Sequence, residues 1–272
     1  LRFEDDLDFS NAYLAEQEFK NNGQINWSNL YQTNADKGNS LFYLYEDRVD
    51  DSQLSFNSIL NTSFNEDFQL NAGLSFQNLV SENYGNMLDL LGGTGFVDLD
   101  QYAKGDAQQN DLNFPDRVVR VSDKFQYNYN INASILGAFA QLQYVGKKNE
   151  YFAAINFKNS KFQREGFYKN GTYPKSSLGK SEQQVFSNIS VKGGYTYKFN
   201  GRHLATLNAG YLSNAPTIRN TFSNSRVNNN ITPDLANEKF LTSDISYLYR
   251  APKFQGRITG FYTKISNVIE TA

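Results

Sequence analysis

The chain has 272 residues and a net charge of −2, with 39% hydrophobic, 20% charged and 15% aromatic residues. So even a charge offers no field for nucleic acid, and the absence of cysteine removes disulfides, thiolate catalysis and Cys-ligated zinc. No run of about 18 apolar residues exists, which excludes a transmembrane helix, and the low charge with many Phe and Tyr argues against a disordered chain.

Residues 9–19 and 27–36 read as two short amphipathic helices inside a long loop over positions 1–40. Strands and loops then fill 41–272. The first strand opens at 41–45, and the acidic stretch 46–51 reads as irregular. From there period-2 alternation dominates. Leu54, Phe56, Leu60 and Phe64 alternate with Ser55, Asn57, Asn61 and Ser63, and Leu70, Leu74 and Phe76 alternate with Asn71, Ser75 and Gln77. The Asn65-Glu66-Asp67 turn joins these two runs as a hairpin. Residues 81–123, with Gly92-Gly93-Thr94-Gly95, read as a loop.

A long strand follows, with Phe125, Tyr127, Tyr129, Ile131, Ala133 and Ile135 on one parity. After Gly137 the apolar set moves to Ala140, Leu142 and Tyr144, a parity change that predicts a β-bulge. Residues 146–150 turn the chain into a strand over 151–162. Residues 164–181 read as a loop, 185–199 as a strand, and Asn200-Gly201 as a tight hairpin turn. The strand near 205–211, a polar loop over 213–238, a strand through Leu241, Ile245 and Tyr249, and a last strand over 255–265 complete the count of about eight.

Short turns on one side and long loops on the other are the asymmetry of outer-membrane barrels. A soluble sandwich or solenoid also alternates, so the charges have to decide. Residues 54–64, 68–77, 125–145 and 204–218 carry none. A lipid-facing Arg or Lys at mid-membrane costs about 2–4 kcal/mol, so strands in lipid exclude it. These runs also reach the roughly 9–11 residues that a tilted membrane strand needs. In lipid every strand N–H and C=O needs a partner, so eight strands must close on themselves or belong to a wider barrel. Leu1 is not a starting Met and Glu270-Thr271-Ala272 follows an apolar run without a tail. The chain therefore reads as a piece of something longer, lacking a plug and terminal strands.

Several segments carry a resemblance. They are Phe162-Gln163-Arg164-Glu165-Gly166-Phe167-Tyr168-Lys169-Asn170-Gly171, Gly201-Arg202-His203-Leu204, Leu207-Asn208-Ala209-Gly210-Tyr211, and Ala215-Pro216-Thr217-Ile218-Arg219-Asn220-Thr221-Phe222-Ser223-Asn224-Ser225-Arg226. Leu44-Tyr45-Glu46-Asp47-Arg48 and Leu88-Asp89-Leu90-Leu91-Gly92-Gly93 add to them. Together they resemble TonB-dependent receptors of Bacteroidetes type, in the branch with an N-terminal carboxypeptidase-regulatory-like domain. The resemblance implies an all-β transmembrane antiparallel barrel of about 22 strands with a plugged lumen, of which this chain supplies about eight. It implies an outer-membrane location and import of a scarce ligand driven through the TonB complex. The ligand is unidentified, and no cofactor is implied.

A surface lipoprotein or larger envelope complex is a further expected partner, and the alternative is a structural or docking barrel subunit of a larger outer-membrane assembly. A standalone eight-stranded enzyme or adhesin is the third reading. Catalytic residues are not expected. His203 is the one histidine, at a turn and without a second ligand or base. Gly179-Lys180-Ser181 mimics a phosphate loop, but Pro174 stands where its first Gly belongs. Asp98, Asp100, Asp106, Asp111 and Asp116 match no calcium-loop spacing and read as a solvated acidic loop, and Glu4-Asp5-Asp6 reads the same way. No metal site is expected. The ligand-binding candidates lie in the long loops: Arg164, Tyr168, Tyr173, Arg219, Asn220, Asn224 and Arg226. They combine Arg forks, amides and aromatic faces. The competing reading is that Arg219 and Arg226 pin loops in place.

Overall fold

The computed structural model describes residues 9–268; Glu4-Asp5-Asp6 and Glu270-Thr271-Ala272 lie outside them. Two helices, α1 (Phe9–Asn22) and α2 (Trp27–Lys37), come first. Strands β1 (Leu44–Ser63) and β2 (Phe68–Asp89) form a hairpin. Two-residue strands β3 (Phe96–Val97) and β4 (Val118–Val119) pair inside the next loop. Strands β5 (Lys124–Val145) and β6 (Asn149–Gly166) form the second hairpin, and the short β7 (Gly179–Lys180) adds to β6. Strands β8 (Gln184–Lys198) and β9 (His203–Asn214), the one-turn α3 (Ile218–Thr221), and β10 (Glu238–Ala251) and β11 (Phe254–Ser266) complete the chain.

The main sheet runs β1-β2-β5-β6-β8-β9-β10-β11, each strand beside its sequence neighbour, with β7 on β6. All eight long strands are thus present. Among the described residues β1 and β11 do not pair, so the sheet is open. The tight turns are closed by asparagines. Asn65 Oδ1 accepts from the N–H groups of Asp67 and Phe68, both at 2.9 Å. Asn200 Oδ1 does the same for Arg202 and His203. Such Asx turns explain why asparagine sits there.

Three expectations are corrected. Residues 46–51 are regular strand within β1. The strand β2 continues through 81–89, so the loop after it is shorter than expected. Asn and Gly there lower strand propensity, but pairing with β5 overrides it. The parity change in β5 is not a bulge at Gly137, because residues 129–144 hold one continuous register with both β2 and β6. The bulge lies higher, where the register slips between Tyr84 and Gly85 and Gln126 takes a φ of 61°. A Cβ on Gly85 would stand 2.8 Å from the Phe125 carbonyl oxygen, so this close crossing requires glycine.

The parity change has another cause: the strand faces two environments. Near the long loops, Tyr127, Tyr129, Ile131 and Ala133 are buried with Phe162 and Phe186 on one face, the covered face. Phe222 of the 215–237 loop completes this core, with Ile218, Ile231 and Leu235 packed against it. Near the short turns most apolar residues, with Phe139, Phe152, Leu204 and Leu248 as exceptions, lie on the opposite, bare face. Leu74, Leu136, Ile155, Ile189, Leu207 and Ile245 are all exposed there. Asn71, Gln141, Asn156, Lys192 and Asn208 occupy the covered-face parity at that end.

Contacts divide the chain into two compact units. The first holds the residues up to Glu46, with Met87–Val97 and Val118–Asp123. Its centre is Asn34 on α2, which is 0% exposed. Asn34 Nδ2 donates to the carbonyls of Phe42, Leu90 and Leu91, and Oδ1 accepts from the N–H groups of Leu41 and Phe42. One helix side chain thus fixes two stretches of irregular backbone. The second unit holds the sheet and the loops described next.

Candidate functional site

In the second unit, three loop segments (98–117, 167–183 and 215–237) are bonded into one cap. The first and second meet through backbone bonds from Leu112 N to Lys169 O and from Gly171 N to Gln109 O, both 2.8 Å. Asp111 Oδ1 accepts from Lys169 N at 3.0 Å. The second and third meet at Asn229. Its Nδ2 donates to Gly179 O at 3.2 Å, and its backbone N–H donates to Ser176 O.

Two buried groups organise these joints. Asp98 is 3% exposed and receives bonds from Asn110 Nδ2, Gln126 N and Arg117 Nη2, the last at 2.6 Å. Arg117 also donates to Lys124 O and Tyr168 Oη. Its guanidinium lies 4.8 Å from the Tyr168 ring centre. The second group is Arg164, at 2% exposure. Its Nε donates to Ser225 O at 2.6 Å, and Nη1 donates to Ser177 O and to Asn229 Oδ1. The guanidinium stands 5.0 Å from the Tyr129 ring centre. A guanidinium suits this place because its planar fork can meet several carbonyls at once.

The electrostatics follow. Burial pushes the Tyr168 hydroxyl above the usual tyrosine range, and the Arg117 hydrogen bond only partly opposes it. Burial works against the Arg117 charge, but the hydrogen bonds with Tyr168 and Asp98 outweigh it and hold the guanidinium above its ordinary value. Arg226 behaves alike: burial opposes its charge, and the bond to Asp47 prevails.

The seven expected loop residues fall into two groups. Arg164 and Tyr168 sit inside the cap as described, with Tyr168 Oη donating to Lys124 O at 2.8 Å. Arg226 reaches out of the third loop to Asp47 on β1, with Nη2 2.9 Å from Oδ2. Its guanidinium covers the Tyr127 ring at 4.6 Å. These three therefore hold loops. Arg219 and Asn224 are exposed, Asn220 and Tyr173 half-buried. The Arg219 side chain makes no hydrogen bond or ion pair among the described residues. It follows Thr217, whose Oγ1 caps α3 by accepting from Asn220 N at 3.1 Å.

Asp98, Asp111, Arg117 and Asn229 organise the cap without having been singled out for it. Asp98 and Asp111 are buried hydrogen-bond acceptors, which corrects the expectation of a solvated acidic loop. Charge spacing in a loop does not show which carboxylate folds inward. Among the described residues no three His, Asp or Glu side chains gather as for a metal ion. His203 lies at the short-turn end, its Nδ1 hydrogen-bonded with Tyr247 Oη and its ring 4.9 Å from that of Tyr249.

No family model and no curated protein matches the chain. Solved structures do. The copper transporter OprC superposes with a TM-score of 0.55 at 13% identity, over 80% of this chain and 30% of that one. The open form of the ferric-catecholate import receptor Fiu from E. coli K12 superposes with a TM-score of 0.50 at 13% identity, over 81% of this chain and 31% of that one. The chain spans less than a third of the length of either. At this identity the likeness is one of fold: the eight strands have the fold of an outer-membrane β-barrel wall.

Proposed function

We propose that these residues form part of the wall and outer loops of an outer-membrane transporter, a TonB-dependent importer whose barrel has about 22 strands around a plug. The observation that carries this reading is the apolar band on the bare face. On β2 it runs from Phe68 to Phe76, a span of about nine residues, close to what a tilted membrane strand needs. At its lower edge the rings of Phe68 and Tyr144 lie 4.9 Å apart, and those of Tyr144 and Tyr151 4.7 Å apart. They have the place of an interfacial aromatic girdle.

The upper edge of the band steps across the register. On β11 Lys264 faces Leu241, and the register continues from Leu241 through Tyr211, Val191, Ile155 and Ala140 to Ala72. On β2 that row lies inside the band. Charge therefore begins lower on β11 than on β2, as it does when strands incline to the membrane. The opposite face at this depth, with Asn71, Asn156, Lys192 and Asn208, suits a polar lumen.

In this reading the strands lie in outer-membrane lipid and the cap stands outside. Arg219, Asn220, Asn224 and Tyr173 face incoming ligand, while Arg164, Tyr168 and Arg226 hold the loops. The chain carries out no chemical reaction. A TonB complex supplies the energy, and a surface lipoprotein or larger envelope assembly is a further partner. OprC and Fiu are a copper transporter and a ferric-catecholate receptor, so copper and ferric catecholate are the first ligands to try. In cells making the full-length protein, uptake of one of them should stop when TonB is deleted. Uptake that persists without TonB overturns energised import.

A further inference from the structure

Between the apolar band and the loops, the bare face of β2, β5 and β6 carries carboxamides. Asn128, Asn130 and Asn132 alternate along β5, opposite the buried Tyr127, Tyr129 and Ile131. Asn78 on β2 stands beside Ser134, and Ser134 beside Lys161 on β6. Asn130 lies between Glu82 and Glu165.

These asparagines differ from others in the chain. Asn34, Asn208 and Asn229 spend their amides on protein partners. The side chains of Asn78, Asn128, Asn130 and Asn132 make no hydrogen bond or ion pair among the described residues, and all four are at least partly exposed. Each offers a donor and an acceptor at one site. Alternate residues on a strand are about 7 Å apart, so the free amides form a ladder facing outward. Charges of both signs are interspersed, with Lys124 3.4 Å from Glu82, so the patch does not select an anion. Paired donors and acceptors in a near-neutral field fit the hydroxyl groups of a sugar.

The position supplies the occupant. The ladder continues directly into the apolar band, with Leu136 below Ser134 on the same face of β5. A lipid whose acyl chains lie along that band places its headgroup against the ladder. We propose that this patch binds the saccharide headgroup of an outer-leaflet glycolipid. The inference rests on the membrane reading above and goes beyond it.

The test uses full-length protein in phosphatidylethanolamine vesicles with and without lipopolysaccharide, with retained lipopolysaccharide counted by native mass spectrometry. The double variant N130A/N132A should lose about tenfold in retention, the equivalent of one or two net hydrogen bonds. Asn71→Ala, on the opposite face, should retain the wild-type amount. Equal retention by N130A/N132A and wild type overturns the proposal while leaving the membrane reading intact, and so does an equal loss in Asn71→Ala. Failure of the wild-type protein to enter vesicles of either composition overturns both.

Discussion

The two ends of the long strands share one backbone register and invert their chemistry. Near the short turns, Leu136, Ile155 and Ile189 point to the bare face, and amides and Lys192 to the other. Near the loops, Tyr129, Ile131, Phe162 and Phe186 point to the covered face beneath Phe222, and Asn128, Asn130 and Asn132 to the bare one. The inversion falls within β5 around Ile135 and Gly137, with no break in pairing. One strand can thus serve a lipid solvent below and a protein core above. The side-chain alternation stays fixed, and only the identity of the apolar face changes.

The largest effect should come from charging the lower bare face. Leu74 is 59% exposed, and Leu74→Arg should cost about 2–4 kcal/mol of membrane stability. Asn71→Arg, on the polar face, should cost little. Urea unfolding in bilayers measures both; equal losses would erase the distinction between the faces.

The upper core should break at a different residue. Arg164→Met leaves the carbonyls of Ser177 and Ser225 without their donor and removes a buried charge with its hydrogen bonds. The lost hydrogen bonds should cost about 1–3 kcal/mol in all, since Met also removes a buried charge that has no ion-pair partner among the described residues. Amide exchange should rise in both the 167–183 and 215–237 loops and stay unchanged in the lower strands. A rise confined to one loop would mean that Arg164 does not join them.

Asn34→Ala should act in the first unit alone. The carbonyls of Phe42 and Leu91 would lose their donor, at about 1–3 kcal/mol per unsatisfied group, while that of Leu90 keeps Ser40 Oγ. Limited proteolysis near 38–42 and 90–95 should quicken, while β5 and β6 stay protected. Arg226→Ala breaks an exposed pair with Asp47 and should cost at most about 1 kcal/mol, less in high salt.

The smallest effect is alkaline. The Tyr168 hydroxyl is held above its ordinary value, so the folded cap keeps its proton after the unfolded chain has lost it. The unfolded chain then binds fewer protons, and stability falls as pH rises past about 10. Tyr168→Phe should weaken this dependence in the loop segments; an unaltered profile would assign it elsewhere.

How much of this was legible beforehand depended on the kind of contact. Hairpins closed by Asn65 and Asn200, and lower strands such as 68–77, follow from local turn chemistry and period 2. The helices over 9–22 and 27–37 were also visible in pattern. The inversion in β5 was visible as a parity change, but its cause was not: a bulge and a change of surroundings leave the same trace in one strand. The unbroken pairing with β2 and β6, and Phe222 from a loop nearly 90 residues away, distinguish them. The roles of the loop residues were the least legible. Arg164 and Arg219 look alike as loop arginines, yet one is enclosed by Ser177, Ser225 and Asn229, and the other is exposed. That difference lies in contacts spanning 61 and 65 residues, which no local pattern encodes.

The inversion itself can be read directly. The chain has no cysteine, so single cysteines can be placed at 128, 130, 132, 134, 136, 138, 140 and 142 of β5 in the membrane-embedded protein. Spin labels at these sites report collisions with apolar oxygen or with a water-soluble nickel chelate. Positions 136–142 should favour oxygen and 128–134 the nickel chelate, with the crossover between Ser134 and Leu136. Nickel access along the whole face would contradict the account, because the lower half of these strands would then stand in water.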